Sequence, residues 1–177
     1  QNISNTLSWN QIKEELQKSS SKSKSKIPEL QKVAASLRYE FICAVAIAHK
    51  FKHTKVTANC KTDSFGWPLS YASGQSGTNT GADIECFENN MNFIVEPSLG
   101  TSKSEQTREC LAIDDHLGAF INQQTTFKLI SFILGFETQL SITDINDFSR
   151  STFKNSNTAT GEIDDFSWVT LQNACLH

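Results

Sequence analysis

The sequence predicts an α/β or α+β domain with a central mixed β-sheet flanked by helices. Three observations predict it. Helix-period segments alternate with short strand-like runs along the chain. The 177 residues suffice for one domain with its own core, and no internal repeat divides them. The hydrophobic fraction of 38% and charged fraction of 20% are ordinary for a globular protein, which sets aside fibrous and disordered classes.

The elements follow in order. Residues 6–18, TLSWNQIKEELQK, read as a helix, with Thr6 or Ser8 as cap and Leu7, Ile12 and Leu16 as its stripe. The run SSSKSKSK, 19–26, reads as a mobile solvated linker; its lysines also suit a loop that contacts phosphate. Residues 1–28 are thus expected to form an N-terminal helix and Ser/Lys linker, and 29–177 the main domain. Residues 29–51 read as the main helix, apolar almost all round from Leu37 to Ile47 and therefore buried. Glu40 interrupts that surface, either as a partner for Arg38 or Tyr39 at the helix edge or as a carboxylate aimed at a site.

Residues 57–80 are rich in Gly, Ser, Asn and Thr and read as a long loop. Strands are expected at 83–87 and 92–97, a helix over 103–123 and a buried strand over 126–136. Ser141 or Thr143 is suited to cap a helix over 144–153. A loop at 154–161 precedes a final helix over 162–174.

The stretch GADIECFENNMNFIVEPSLG, 81–100, places carboxylates among strand residues. A hairpin around a four-residue loop, Glu88–Met91, sets Phe87 opposite Asn92, Glu85 opposite Ile94 and Asp83 opposite Glu96. Asp83, Glu85, Ile94 and Glu96 then share one face, while Ile84, Cys86, Phe93 and Val95 share a wholly apolar one. Opposed carboxylates repel unless a hard cation lies between them. One or two carboxylates plus water and phosphate oxygens are the usual Mg²⁺ ligands. On the following helix Gln106, Glu109, Ile113, His116, Leu117 and Phe120 are spaced by three or four and fall on one face. His116 reads either as a satisfied core histidine or as part of a site on that face.

The order "LRYEF", "GWPLSYASG", "GADIECF", "FIVEPSLG", then Gln, Glu and "HL" resembles the AlwI-like type IIS restriction endonucleases and related nicking-enzyme small subunits, of the PD-(D/E)XK nuclease superfamily, over roughly residues 36–148. The resemblance implies a restriction-endonuclease-like fold and a metal-dependent endodeoxyribonuclease using Mg²⁺ or Mn²⁺. By position, Asp83 and Glu96 match the two acids of the nuclease signature, and Glu40 a helix acid that assists metal binding. Ser98 stands where the superfamily usually has lysine, Gln106 fits the helix residue that substitutes for it, and Glu109 and His116 match the family's helix pair.

Two departures stand out. Pro97 cannot donate to a ladder and should end a strand or mark a bulge. Asp114 and Asp115 replace the basic residue expected before His116. Lys103 is an alternative helper one turn before Gln106.

The net charge of −3 is not the footprint of a self-sufficient DNA binder, and no base-reading motif occurs. Double-stranded DNA as substrate therefore calls for a recognition domain or partner subunit. The rival reading is a non-catalytic nuclease-fold partner subunit. A cysteine hydrolase using Cys110 with His116 is disfavoured, because six residues along one helix set the two on different sides. Cysteines 43, 60, 86, 110 and 175, scattered and without a CxxC pair, are expected to be reduced thiols of a cytoplasmic protein. No apolar run reaches membrane-spanning length, so no membrane association is expected. A chain beginning with Gln1 is expected to be a processed product or a domain of a longer protein.

Overall fold

The computed structural model describes residues 3–71, 81–87, 92–100, 102, 104, 105, 107, 108, 112 and 116, with the backbone of 129–135 and 163–170. After a 3-10 turn at Ile3–Asn5, helix α1 spans Trp9–Ser20. Ser8 is its cap in a capping box with Gln11, which satisfies donors that the first turn leaves open. Ile12, Glu15, Leu16 and Ser19 lie on its buried stripe.

The Ser/Lys segment is exposed at Ser21–Lys24 and Lys26, as its composition suggests, but it is anchored. Ser19 and Ser25 are buried, and the guanidinium of Arg38 holds the segment in place. Arg38 Nε donates to Ser19 Oγ at 2.9 Å and Nη2 to the Ser23 carbonyl at 2.6 Å. Glu15 lies 3.2 Å from Arg38 Nε and accepts from Ser25 Oγ at 2.9 Å. Composition does not show the anchor, because a buried ion pair on the flanking helices supplies what serine and lysine cannot.

The main helix begins later than its pattern suggests. A 3-10 turn at Pro28–Leu30 buries Leu30 completely, and α2 runs from Ala35 to Lys50. Leu37 to Val45 is buried except Glu40, as the all-round apolar pattern predicts.

Part of the expected loop 57–80 is sheet. β1 (Lys55–Ala58), β2 (Cys60–Thr62) and β3 (Pro68–Tyr71) lie in or beside it, and 72–80 fall outside the described residues. A tight turn lies in the described part. Asp63 Oδ1 accepts from the amides of Phe65 and Trp67 at 2.8 and 2.9 Å, and Gly66 takes a positive φ of 91°. That turn joins β2 to β3.

β4 (Ile84–Phe87) and β5 (Asn92–Pro97) form the expected hairpin in the expected register, with Phe87 opposite Asn92 and Glu85 opposite Ile94. β5 ends at Pro97, as a residue without a ladder donor requires. β6 (Leu129–Gly135) runs parallel to β5, and β7 (Ile163–Thr170) parallel to β6. The sheet order is β1-β4-β5-β6-β7, antiparallel through β5 and parallel beyond it, so the sheet is mixed as predicted.

The final helix expected over 162–174 is instead β7. Ile163, Phe166, Trp168, Val169 and Thr170 are aromatic or β-branched, and strand preference outweighs a weak helical stripe there. The expected helix over 144–153 and loop over 154–161 lie outside the described residues. Among the described residues no helix is long and apolar enough to cross a membrane.

Ile84, Cys86, Phe93 and Val95 pack with α1 and α2 in one core, so the apolar face of the hairpin is the core face. Ile94 and Glu96, on the other face, are buried too, so β5 is covered on both sides. Replacing Arg38 by Met leaves Glu15 buried without its counter-charge. Urea unfolding should show a loss of about 3–5 kcal/mol, the usual result of breaking one side of a buried pair. Wild-type stability in that variant would mean the pair is not holding the segment.

Candidate active site

The two strand ends define the site. Asp83 immediately precedes Ile84, Glu96 immediately follows Val95, and Ile84 pairs with Val95. Both acids therefore stand one position beyond the last paired rung, at the same end of the sheet. Because β5, β6 and β7 are parallel, this is also the carboxyl end of those strands, where open α/β sheets bind ligands. The Asp83 carbonyl accepts from the Asn59 amide at 2.8 Å, which ties it to the chain just after β1.

The acids open into a cleft of about 450 Å³. Glu40 and Tyr39 reach it from α2, and Ser98 to Gly100 from the chain leaving β5. The helical residues after β5 contribute Glu105, Arg108, Ala112 and His116, spaced by three and four. Asp83, Glu96, Glu40, Ser98 and His116, all singled out in the sequence, thus line one cavity. Gln106, Glu109, Lys103, Asp114 and Asp115 lie outside the described residues.

Glu96 is 5% exposed, and burying an ionised carboxylate needs a partner. His116 supplies one: its Nδ1 lies 3.0 Å from Glu96 Oε1. A proton on Nδ1 lets the ring donate to this carboxylate oxygen. The strand-to-helix turn makes the approach possible. Ser98 Oγ accepts from the Gly100 amide at 3.0 Å. A Cβ on Gly100 would lie 3.2 Å from both Ser98 Oγ and Glu105 Cβ, so this close passage suits glycine. Ser102 then caps the helix: its amide and hydroxyl donate to Glu105 Oε2 at 3.1 and 2.8 Å, and its Oγ accepts from the Glu105 amide at 3.3 Å.

The electrostatics show the same convergence. Burial pushes the Tyr71 hydroxyl above its ordinary value, its hydrogen bond with Ser36 opposes this, and the negative charges of Glu40 and Asp83 add to the rise. Burial also raises the Cys60 thiol, with Glu40 as the second cause.

Among the described residues no three His, Cys, Asp or Glu side chains close around one point. Mg²⁺ does not require that, since water and phosphate oxygens complete its shell. Hard oxygen donors on two adjacent strand ends, in a cleft with room for solvent, fit such an ion.

The sequence reading did not single out Lys22 or Arg108, which also line the cleft. Arg108 was recoverable from its spacing: 105, 108, 112 and 116 form a helical row ending on the same histidine. Lys22 was visible only as one of several lysines in a segment thought mobile.

The fold that carries this cleft is restriction-endonuclease-like, a mixed α/β architecture. The chain is similar to the solved structure of the small subunit (R.BspD6I2) of the heterodimeric restriction endonuclease R.BspD6I. The TM-score is 0.56 at 13% identity, over 89% of this chain and 72% of that one. No family model matches the chain, and no curated protein does.

Glu85 offers a pH test of this face. Burial raises its carboxyl, so the folded protein holds the proton more tightly than the unfolded chain. That contribution is present below the ordinary carboxylate value and is lost as pH rises through the raised one. Glu85→Gln should melt above wild type at pH 7, with the gap closing towards about pH 4. Equal melting temperatures at pH 7 would show that Glu85 is fully hydrated.

Proposed function

We propose that the chain hydrolyses phosphodiester bonds of double-stranded DNA with Mg²⁺ or Mn²⁺ held by Asp83 and Glu96 and assisted by Glu40. It acts as the cleavage domain or subunit of an AlwI-like, type IIS-like restriction endonuclease. The observation that carries this reading is that these three carboxylates line one cleft at the carboxyl end of a restriction-endonuclease-like sheet.

The metal, when bound, would polarise the scissile phosphate and lower the pKa of a bound water. The chain's own residues do the rest. His116 orients Glu96 through the 3.0 Å contact and leaves Oε2 for the ion. Asp83 supplies the second negative charge from the neighbouring strand. Gln106 substitutes for the usual lysine and orients the attacking water, and Glu109 joins His116 as the helix pair that the resemblance implies. Arg108 adds positive charge on the rim. Target recognition belongs to a further domain or partner subunit in the cytoplasm. The structural neighbour's place in a heterodimer supports that arrangement.

A specific observation favours a second reading, a non-catalytic partner subunit. Ser98 is neutral where a lysine is usual, and its hydroxyl is engaged with the Gly100 amide.

Plasmid cleavage in Mn²⁺ separates the two. Asp83→Asn should lose more than about 100-fold in rate, the scale of losing a group that stabilises transition-state charge. Without metal it should melt at or above wild type, because one of two neighbouring like charges is gone. A variant that cuts at the parental rate removes Asp83 from the site. A wild-type chain that binds its partner subunit yet leaves DNA intact in the assembled complex establishes the second reading.

A further inference from the structure

The segment after α1 ends that helix with a lysine where glycine is cheapest. The Ser23 amide bonds to the Lys18 carbonyl at 2.8 Å and the Lys22 amide to the Ser19 carbonyl at 3.1 Å, the pair of bonds of a Schellman cap. Lys22 occupies its left-handed position, with φ of 54°, the one positive φ at a non-glycine residue among those described. That conformation is unfavourable for a lysine, and such outliers point to a use for the side chain. Lys22 lines the carboxylate cleft.

The neighbouring lysine Lys26 is otherwise engaged. It pairs with Glu14 at 2.7 Å. The Glu15–Arg38 pair holds the turn itself, buried and bonded to Ser19, Ser23 and Ser25. A buried ion pair is weak as a source of net stability, and its use is more often to fix one geometry. Here the fixed geometry is the turn that presents Lys22.

The cleft needs what Lys22 offers. Among its described lining residues Glu40, Asp83, Glu96 and Glu105 are acidic, against Lys22 and Arg108. A phosphodiester entering such a site is repelled unless positive charge offsets these acids; the metal and Arg108 supply part of it, and Ser98 brings none. We infer that Lys22 is the phosphate-binding residue of this cleft, its ammonium meeting a non-bridging oxygen of a DNA backbone phosphate beside Asp83 and Glu96. The inference rests on the nuclease reading and adds a residue from the N-terminal segment to that site.

The test is the salt dependence of binding of a fluorescein-labelled DNA duplex in Ca²⁺, followed by anisotropy. The variants are Lys22→Asn and Lys22→Gly, which tolerate the left-handed turn, with Lys22→Arg as the charge-keeping variant and Lys24→Asn as control. Losing one phosphate contact should lower the slope of log K against log salt by about 0.9 in the Asn and Gly variants. It should stay unchanged in Lys22→Arg and Lys24→Asn. Mn²⁺ affinity without DNA should be equal or higher in the Asn and Gly variants, because a nearby positive charge is gone, whereas a misfolded site would lose both. An unchanged slope in Lys22→Asn, with binding and cleavage intact, overturns the role of Lys22 and leaves the nuclease reading standing. A wild-type chain that, even assembled with its partner subunit, binds neither duplex nor Mn²⁺ overturns both.

Discussion

A carboxylate kept out of bulk water at the end of the central strand is the constraint on which this structure turns. Glu96 follows a strand buried on both faces and is itself buried. Leaving it charged there without compensation is unfavourable by several kcal/mol. His116 Nδ1 at 3.0 Å offsets part of that. His116, itself helical, reaches Glu96 from the segment that follows β5. Pro97 ends the strand, the Ser98–Gly100 turn passes close to the helix, and Ser102 caps its start. Sequence, turn, capping and site are thus links of one chain of cause, and each is required by the position of a single acid.

A buried ion pair between α1 and α2, Glu15 with Arg38, adds a second constraint. Arg38 and Glu40 are only two residues apart on α2, so they point about 200° apart around the helix. Arg38 turns into the contact with α1 and secures the Ser/Lys turn, while Glu40 turns into the cleft. One helix therefore fixes the N-terminal segment and contributes to the acidic wall. The core that joins them is shared, running from Ile12 and Leu16 through Ile42 to Ile84 and Val95. Displacement of α1 would be felt in the cleft through this packing.

Much of this was legible in the sequence where periodicity and chemistry agreed. The faces of the 83–97 hairpin followed from alternation, which puts Ile84, Cys86, Phe93 and Val95 together, and its register from an assumed four-residue loop. The buried character of α2 followed from its apolar run, and the cleft residues Asp83, Glu96 and Glu40 from carboxylates placed against that pattern. The rest depended on tertiary contacts that no local pattern carries. β1, β2 and β3 are only three or four residues long and largely exposed, so none shows a strand-length apolar alternation. β7 carries strand-favouring residues, and its pairing with β6 adds to that preference over the weak helical stripe. The Ser/Lys turn is ordered by Arg38, a residue nineteen positions beyond Ser19, and nothing in SKSKSK announces that.

The central claim is that Asp83 and Glu96 together hold one divalent cation. Anomalous diffraction from crystals grown with Mn²⁺ tests it most directly. The account predicts a single strong peak in the cleft, coordinated by oxygens of both Asp83 and Glu96. A saturated crystal with no peak there, or with Mn²⁺ bound elsewhere and both carboxylates free of it, would contradict the account.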